Sequence, residues 1–155
     1  MKKVAISACL TGRRCRYDAT DNLEIRLLKE LENELLIPFC PEDHAFGSPR
    51  PTMDLIETEQ GIRAISNLTG EDLSPPVQRY AEEFFAEHPD IDLYIGKDRS
   101  PSCGVCSARV YDSEKNLLDS EGLGLMSMEA KKHDIECWDA EGYLADRSKK
   151  SAYVG

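Results

Sequence analysis

The sequence predicts an α/β domain, a Rossmann-like three-layer sandwich with a mainly parallel sheet. Two observations lead there. Short apolar runs of strand length alternate along the chain with segments whose apolar residues recur at helical spacing. The 155 residues, 41% hydrophobic and 31% charged, suffice for one core, so residues 1–155 read as a single domain. Parallel strands joined by right-handed helical crossovers place helices on both faces of the sheet.

Val4-Ala5-Ile6-Ser7-Ala8 reads as a buried first strand, ended by the turn signal Thr11-Gly12. Asp21-Asn22 is expected to cap a helix carrying Leu23, Leu27, Leu31 and Leu35 at every fourth position. Leu35 to Cys40 then reads as a second strand, stopped by Cys40-Pro41. Between Glu42 and Leu73 glycines and prolines interrupt the pattern, leaving a short strand pair near 53–58 and 61–65. Ser74-Pro75 opens a helix through Val77, Tyr80, Ala81, Phe84 and Phe85, because serine caps and proline suits the first turn. Ile91 to Gly96 is a third strand, and Lys97 to Cys106 a loop. Ala108 to Tyr111 reads either as a short strand or as the start of an excursion through 112–116. A helix over 122–133 and a last strand at 135–138 follow, and the polar tail is expected to fray.

Nineteen basic against 29 acidic residues give a net charge of −10, which argues against a nucleic-acid backbone as partner. No apolar run reaches the roughly 20 residues of a membrane helix, and the N-terminus lacks the apolar stretch of a signal peptide. A cytoplasmic protein is therefore expected, with no membrane partner. The acidic surface shows no apolar stripe, so a monomer is the default and a homodimer the alternative.

Six cysteines remain to be explained: Cys9, Cys15, Cys40, Cys103, Cys106 and Cys137. A disulfide framework belongs to small exported chains with poor cores, unlike this one. Cys9, Cys40 and Cys103 each sit in a loop after a predicted strand. A parallel sheet gathers such loops beyond its carboxyl edge, where ligands bind in this architecture. Three thiolates in one place call for a cation, and sulfur selects zinc, copper(I) or an iron–sulfur cluster. The single pair Cys103-x-x-Cys106 is too little for a zinc ribbon, whereas three ligands leave a coordination position open. Taken singly, Cys15, Cys106 and Cys137 read equally well as small buried residues. A redox role for the Cys103/Cys106 pair lacks the helix-start context that activates a thiol.

Glu42, two residues after Cys40, reads as a loop carboxylate able to act as a general acid. Ser100 and Ser102 flank Pro101, suited either to donate to a substrate or to cap the loop. Lys97 and Arg50 are candidates to orient an anion or a carbonyl. The three histidines have no metal-site spacing, and phosphate-cradling glycine motifs are absent.

Three ordered blocks resemble a known family. They are Ser7-Ala8-Cys9-Leu10-Thr11-Gly12 with Cys15-Arg16-Tyr17-Asp18, Phe39-Cys40-Pro41-Glu42 with Pro49-Arg50-Pro51, and Lys97-Asp98-Arg99-Ser100-Pro101-Ser102-Cys103-Gly104. They resemble the domain of unknown function 523 family, which includes the 2-thiouracil desulfurases. The resemblance implies a [4Fe-4S] cluster held by Cys9, Cys40 and Cys103, with a fourth iron open to the sulfur of a thiolated base. It implies proton transfer by Glu42 and by Ser100 or Ser102, a choice it leaves open. The activity implied is non-redox removal of sulfur from a base such as 2-thiouracil, a small-molecule substrate. Cys15 and Cys106 fall beside the ligand positions. Asp43 to Ser48 departs from the Gly-Gly-Leu stretch common in the family, which bears on substrate shape. A non-catalytic iron–sulfur or zinc-binding protein is the alternative, since it needs the cysteines but neither Glu42 nor the serines.

Overall fold

In chain order the elements are β1 (Lys3–Ser7), α1 (Ile25–Glu30), β2 (Leu35–Phe39), α2 (Pro41–Phe46), β3 (Met53–Thr58), β4 (Gly61–Ser66) and α3 (Ser74–Glu87). They continue as β5 (Leu93–Gly96), β6 (Ala108–Tyr111), β7 (Leu117–Gly122), α4 (Leu125–Lys132), β8 (Glu136–Asp139) and α5 (Ala140–Val154). This computed structural model describes residues 1–154, and side chains as far as Lys149.

The first sheet has the order β2-β1-β5-β8 and is parallel throughout. Successive residues of a strand face opposite sides, and β1 shows the result. Val4 and Ile6 pack with Leu27 of α1 and Tyr143 and Leu144 of α5 on one face. Ala5 packs with Phe84 and Phe85 of α3 and Met126 of α4 on the other. That is the expected α/β/α sandwich. Pro38 lacks an N–H for a ladder bond and is accommodated in β2, an edge strand.

A second sheet, of order β4-β3-β6-β7, was not expected as a unit. β3 and β4 form an antiparallel hairpin, β6 joins β3 in parallel, and β7 closes antiparallel to β6. Met53, Leu55, Ala64 and Val110 pack on Val77 of α3 and Leu125 of α4. The same two helices therefore cover one face of each sheet.

Several expected boundaries move for reasons visible in the backbone. The first helix is shorter: Asn22 and Glu24 donate their N–H groups to the carbonyls of Cys9 and Leu10, and that of Leu23 goes to Asp21 Oδ1. Those bonds tie residues 22–24 to the first loop, so Asp21-Asn22 caps no helix and Leu35 belongs to β2. Ser74 likewise is no cap, since its Oγ accepts from the N–H of Ala64 at 2.7 Å. Glu42 stands in the first turn of α2 rather than in a loop. Pro41 at the start and two carboxylates in the first turn favour that short helix. The stretch after Glu42, without glycine until Gly47, continues as this helix. Gly122 ends β7, and the fourth helix starts only at Leu125. The polar tail is helical from Ala140 to Val154 instead of frayed.

Candidate active site

Cys9, Cys40 and Cys103 lie beyond the carboxyl ends of β1, β2 and β5, three neighbouring strands of the parallel sheet. They open with Cys15 onto one cavity of about 670 Å³. Cys9 sits in a tight turn over Ala8–Thr11, and Asn22 Nδ2 donates to its sulfur at 3.7 Å. Cys40 immediately precedes α2, and its N–H donates to Tyr80 Oη at 3.2 Å.

The Cys103 loop is held from several directions. Ser100 Oγ accepts from the N–H groups of Ser102 (3.2 Å) and Cys103 (3.0 Å), and Ser127 donates to the Cys103 carbonyl at 2.9 Å. The first N–H groups of α4, from Leu125 and Met126, donate to the carbonyls of Pro101 and Ser102, so loop carbonyls satisfy a helix end. Asp139, at the end of β8, accepts from Val105 N–H, Cys106 N–H and Ser107 Oγ at 2.8–2.9 Å. Gly96 completes the fit: a Cβ there would fall 1.8 Å from the Cys103 carbonyl oxygen.

Of the two candidate serines, Ser102 meets Glu42. Its fully buried hydroxyl donates to Glu42 Oε2 at 2.9 Å, and Arg50 Nε stands 3.6 Å from the other carboxylate oxygen. Ser100 lines the cavity, but its oxygen is engaged by the loop backbone. Lys97 also lines the cavity, with its ammonium on the Asp98 carbonyl at 3.2 Å.

Cys15 is the residue sequence reasoning set aside. It is buried, its carbonyl accepts from Cys40 Sγ at 3.6 Å, and its thiol interacts electrostatically with those of Cys9 and Cys40. These interactions divide the protons unequally. The interaction with Cys15, with the Asn22 hydrogen bond and the charges of Lys97 and Arg16, outweighs burial and brings Cys9 down to about 7. The Cys15 interaction likewise lowers Cys40, while Cys15 itself is raised and keeps its proton. Burial, reinforced by the neighbouring Cys40, raises Cys103 well above the ordinary value. Its place in the first block, six residues after Cys9, was the only sequence signal for Cys15. Asp139 and Tyr80 carried none.

Cys106 and Cys137 lie apart. Cys106 is exposed, with its sulfur 3.3 Å from Asp139 Oδ2, and Cys137 donates to the Ile135 carbonyl. Cys103 and Cys106 thus occupy different environments, which does not suit a redox pair. Among the described residues no three His, Cys, Asp or Glu side chains are grouped for a single metal ion. Cys9, Cys15, Cys40 and Cys103 bring four sulfurs to a cavity whose lining also includes the carboxylates of Glu42, Asp54 and Asp98. The sulfurs suit a thiophilic group, and an iron–sulfur cluster takes its thiolates from around a body larger than one ion.

A sequence profile of the 2-thiouracil desulfurase family matches residues 4–141. The chain belongs to that family. It is 28% identical over 130 residues to the uncharacterized protein YbbK of Bacillus subtilis (strain 168), covering 79% of this chain and 85% of YbbK. Its fold is similar to that of the [4Fe-4S]-dependent thiouracil desulfidase TudS, with a TM-score of 0.72 and 27% identity. That match covers 94% of this desulfurase-family chain and 97% of TudS. Among the described residues no helix is long and apolar enough to cross a membrane.

Proposed function

We propose that the protein is a [4Fe-4S]-dependent desulfurase that exchanges the sulfur of a thiolated nucleobase, such as 2-thiouracil, for oxygen. Cys9, Cys40 and Cys103 would hold the cluster, and Cys15 would stay protonated beside it. When bound, the cluster supplies an iron with an open position, a Lewis acid for the substrate sulfur. The reaction balances as hydrolysis: C=S and water give C=O and hydrogen sulfide, with no electron gained or lost.

The remaining work falls to side chains of the cavity. Glu42 accepts a proton from the attacking water, and Ser102 fixes the carboxylate and offers a hydroxyl through which that proton is shared. Ser102 is assigned this role because it is the serine bonded to Glu42, while Ser100 Oγ accepts from two loop N–H groups and is assigned to the loop. The observation that carries this reading is the 2.9 Å bond between Ser102 and Glu42 beside a cavity bearing the cysteines. The likeness to TudS supports it.

The test is anaerobic reconstitution with iron and sulfide, followed by thiouracil turnover. About four irons per chain are expected, and Glu42→Gln should lower kcat by about 100-fold at unchanged iron content. One bound zinc, or a loaded cluster without turnover, would replace this reading by the non-catalytic metal protein.

A further inference from the structure

Arg50 is a buried cation that the reaction as written leaves unused. Its side chain is 6% exposed, and its Nε–H is buried without a hydrogen-bond acceptor. Leaving a charged donor unmade in the interior is costly, so the group that faces it matters. That group is Glu42, whose Oε1 lies 3.6 Å from Nε while Oε2 holds Ser102.

The guanidinium is tied down elsewhere. One terminal nitrogen donates to Ser48 Oγ at 2.6 Å and to the Gly47 carbonyl at 3.0 Å. Ser48 in turn donates to Asp43 at 2.6 Å, in the same first turn as Glu42. The backbone N–H of Arg50 donates to the Tyr17 carbonyl at 2.6 Å, and Pro49 and Pro51 stiffen the chain on either side. The charge is therefore held by an arm pinned to the first loop and aimed at the first turn of α2. A flexible lysine ammonium would not present one edge to Ser48 and another to Glu42.

We infer that Arg50 is the positioning residue of Glu42: a fixed cation that holds the carboxylate in the orientation shared with Ser102. The inference rests on the desulfurase reading for what Glu42 does, but the pairing itself can be judged without it.

Two experiments test it. In cluster-free protein, urea unfolding of Glu42→Gln, Arg50→Gln and the double variant should be non-additive. The double variant should unfold at least about threefold less readily than the two single effects multiplied together. In the loaded enzyme, Arg50→Gln should lower kcat with thiouracil by about tenfold, leaving iron content unchanged and KM within about twofold. On a Glu42→Gln background it should cost nothing further. Additive unfolding effects, multiplying losses of kcat, or a change confined to KM would overturn the inference, the last by showing direct substrate contact. Arg50→Lys, read in the same cycles, serves if Arg50→Gln does not fold, and it should recover part of the loss. A wild-type protein without cluster or turnover would defeat the proposed function, while the unfolding cycle would still decide whether Arg50 and Glu42 are paired.

Discussion

The two sheets meet the same cavity in different ways. The parallel sheet reaches it from its strand ends, through loops that carry Cys9, Cys40 and Cys103. The mixed sheet reaches it from a strand face, through Asp54, Arg109 and Tyr111, which alternate with the buried Leu55 and Val110. Loop residues at strand ends converge from distant parts of the chain and are fixed by many bonds. Residues on a half-solvated face can change one at a time without disturbing the ladder beneath them. Under the proposed function, the first sheet would carry the chemistry and the second would shape the space for the substrate.

Substitutions at the strand ends should produce the largest effect. Cys9→Ala, Cys40→Ala or Cys103→Ala should each bring iron from about four per chain to near zero, measured after anaerobic reconstitution. Loading retained by all three variants would break the comparison at its base.

Next comes a contrast within the thiols of cluster-free protein. Cys9 sits at about 7 and Cys137, raised mainly by burial, at about 11. Iodoacetamide should label Cys9 with a midpoint near neutrality, and Cys137 only in strong alkali. The sign for stability follows: a thiol lowered from 9.0 stabilises the fold above that value, and this contribution fades as pH falls through about 7.

Glycines sharpen the comparison at the level of a few kcal/mol. Gly96→Ala forces a methyl into the Cys103 carbonyl and should destabilise by about 3 kcal/mol, with weakened cluster binding. Gly61, the first residue of β4, has a left-handed φ of 94° but open space where a side chain would go. Gly61→Ala should cost about 1 kcal/mol, read by urea unfolding, and leave cluster binding untouched.

On the mixed sheet itself, Tyr111→Ala should raise KM about fivefold with iron content unchanged. Smallest of all, Lys115→Ala removes a half-exposed ammonium from Asp54 and Asn67. It should cost less than about 1 kcal/mol.

The parallel sheet was legible because β1, β2 and β5 have apolar centres, and the three cysteines lie in the segments that follow them. The mixed sheet was not, because β7 (Leu117–Gly122) is almost wholly exposed and has no apolar alternation. Its place is set by pairing with β6, a tertiary fact. Glu42 was identified as a residue but misplaced in a loop, since one turn of helix after Cys40-Pro41 is too short to show periodicity. The serine ambiguity could be resolved only in space: the hydroxyl that meets Glu42 lies 60 positions further along the chain. Asp139 was illegible for the same reason, since it acts on Val105, Cys106 and Ser107 from another strand.

That remoteness governs when the site can exist. From Cys9 to Cys40 is 40 − 9 = 31 residues, and from Cys40 to Cys103 is 103 − 40 = 63. No ribosome-bound fragment that stops short of the loop after β5 owns all three thiols, and Asp139, which braces that loop, is made later still. A cofactor arriving early would find a partial grip. If the cluster is held as proposed, loading would belong after synthesis, on a chain whose four parallel strands are already in order, and a filled cavity would certify that the crossovers were made correctly.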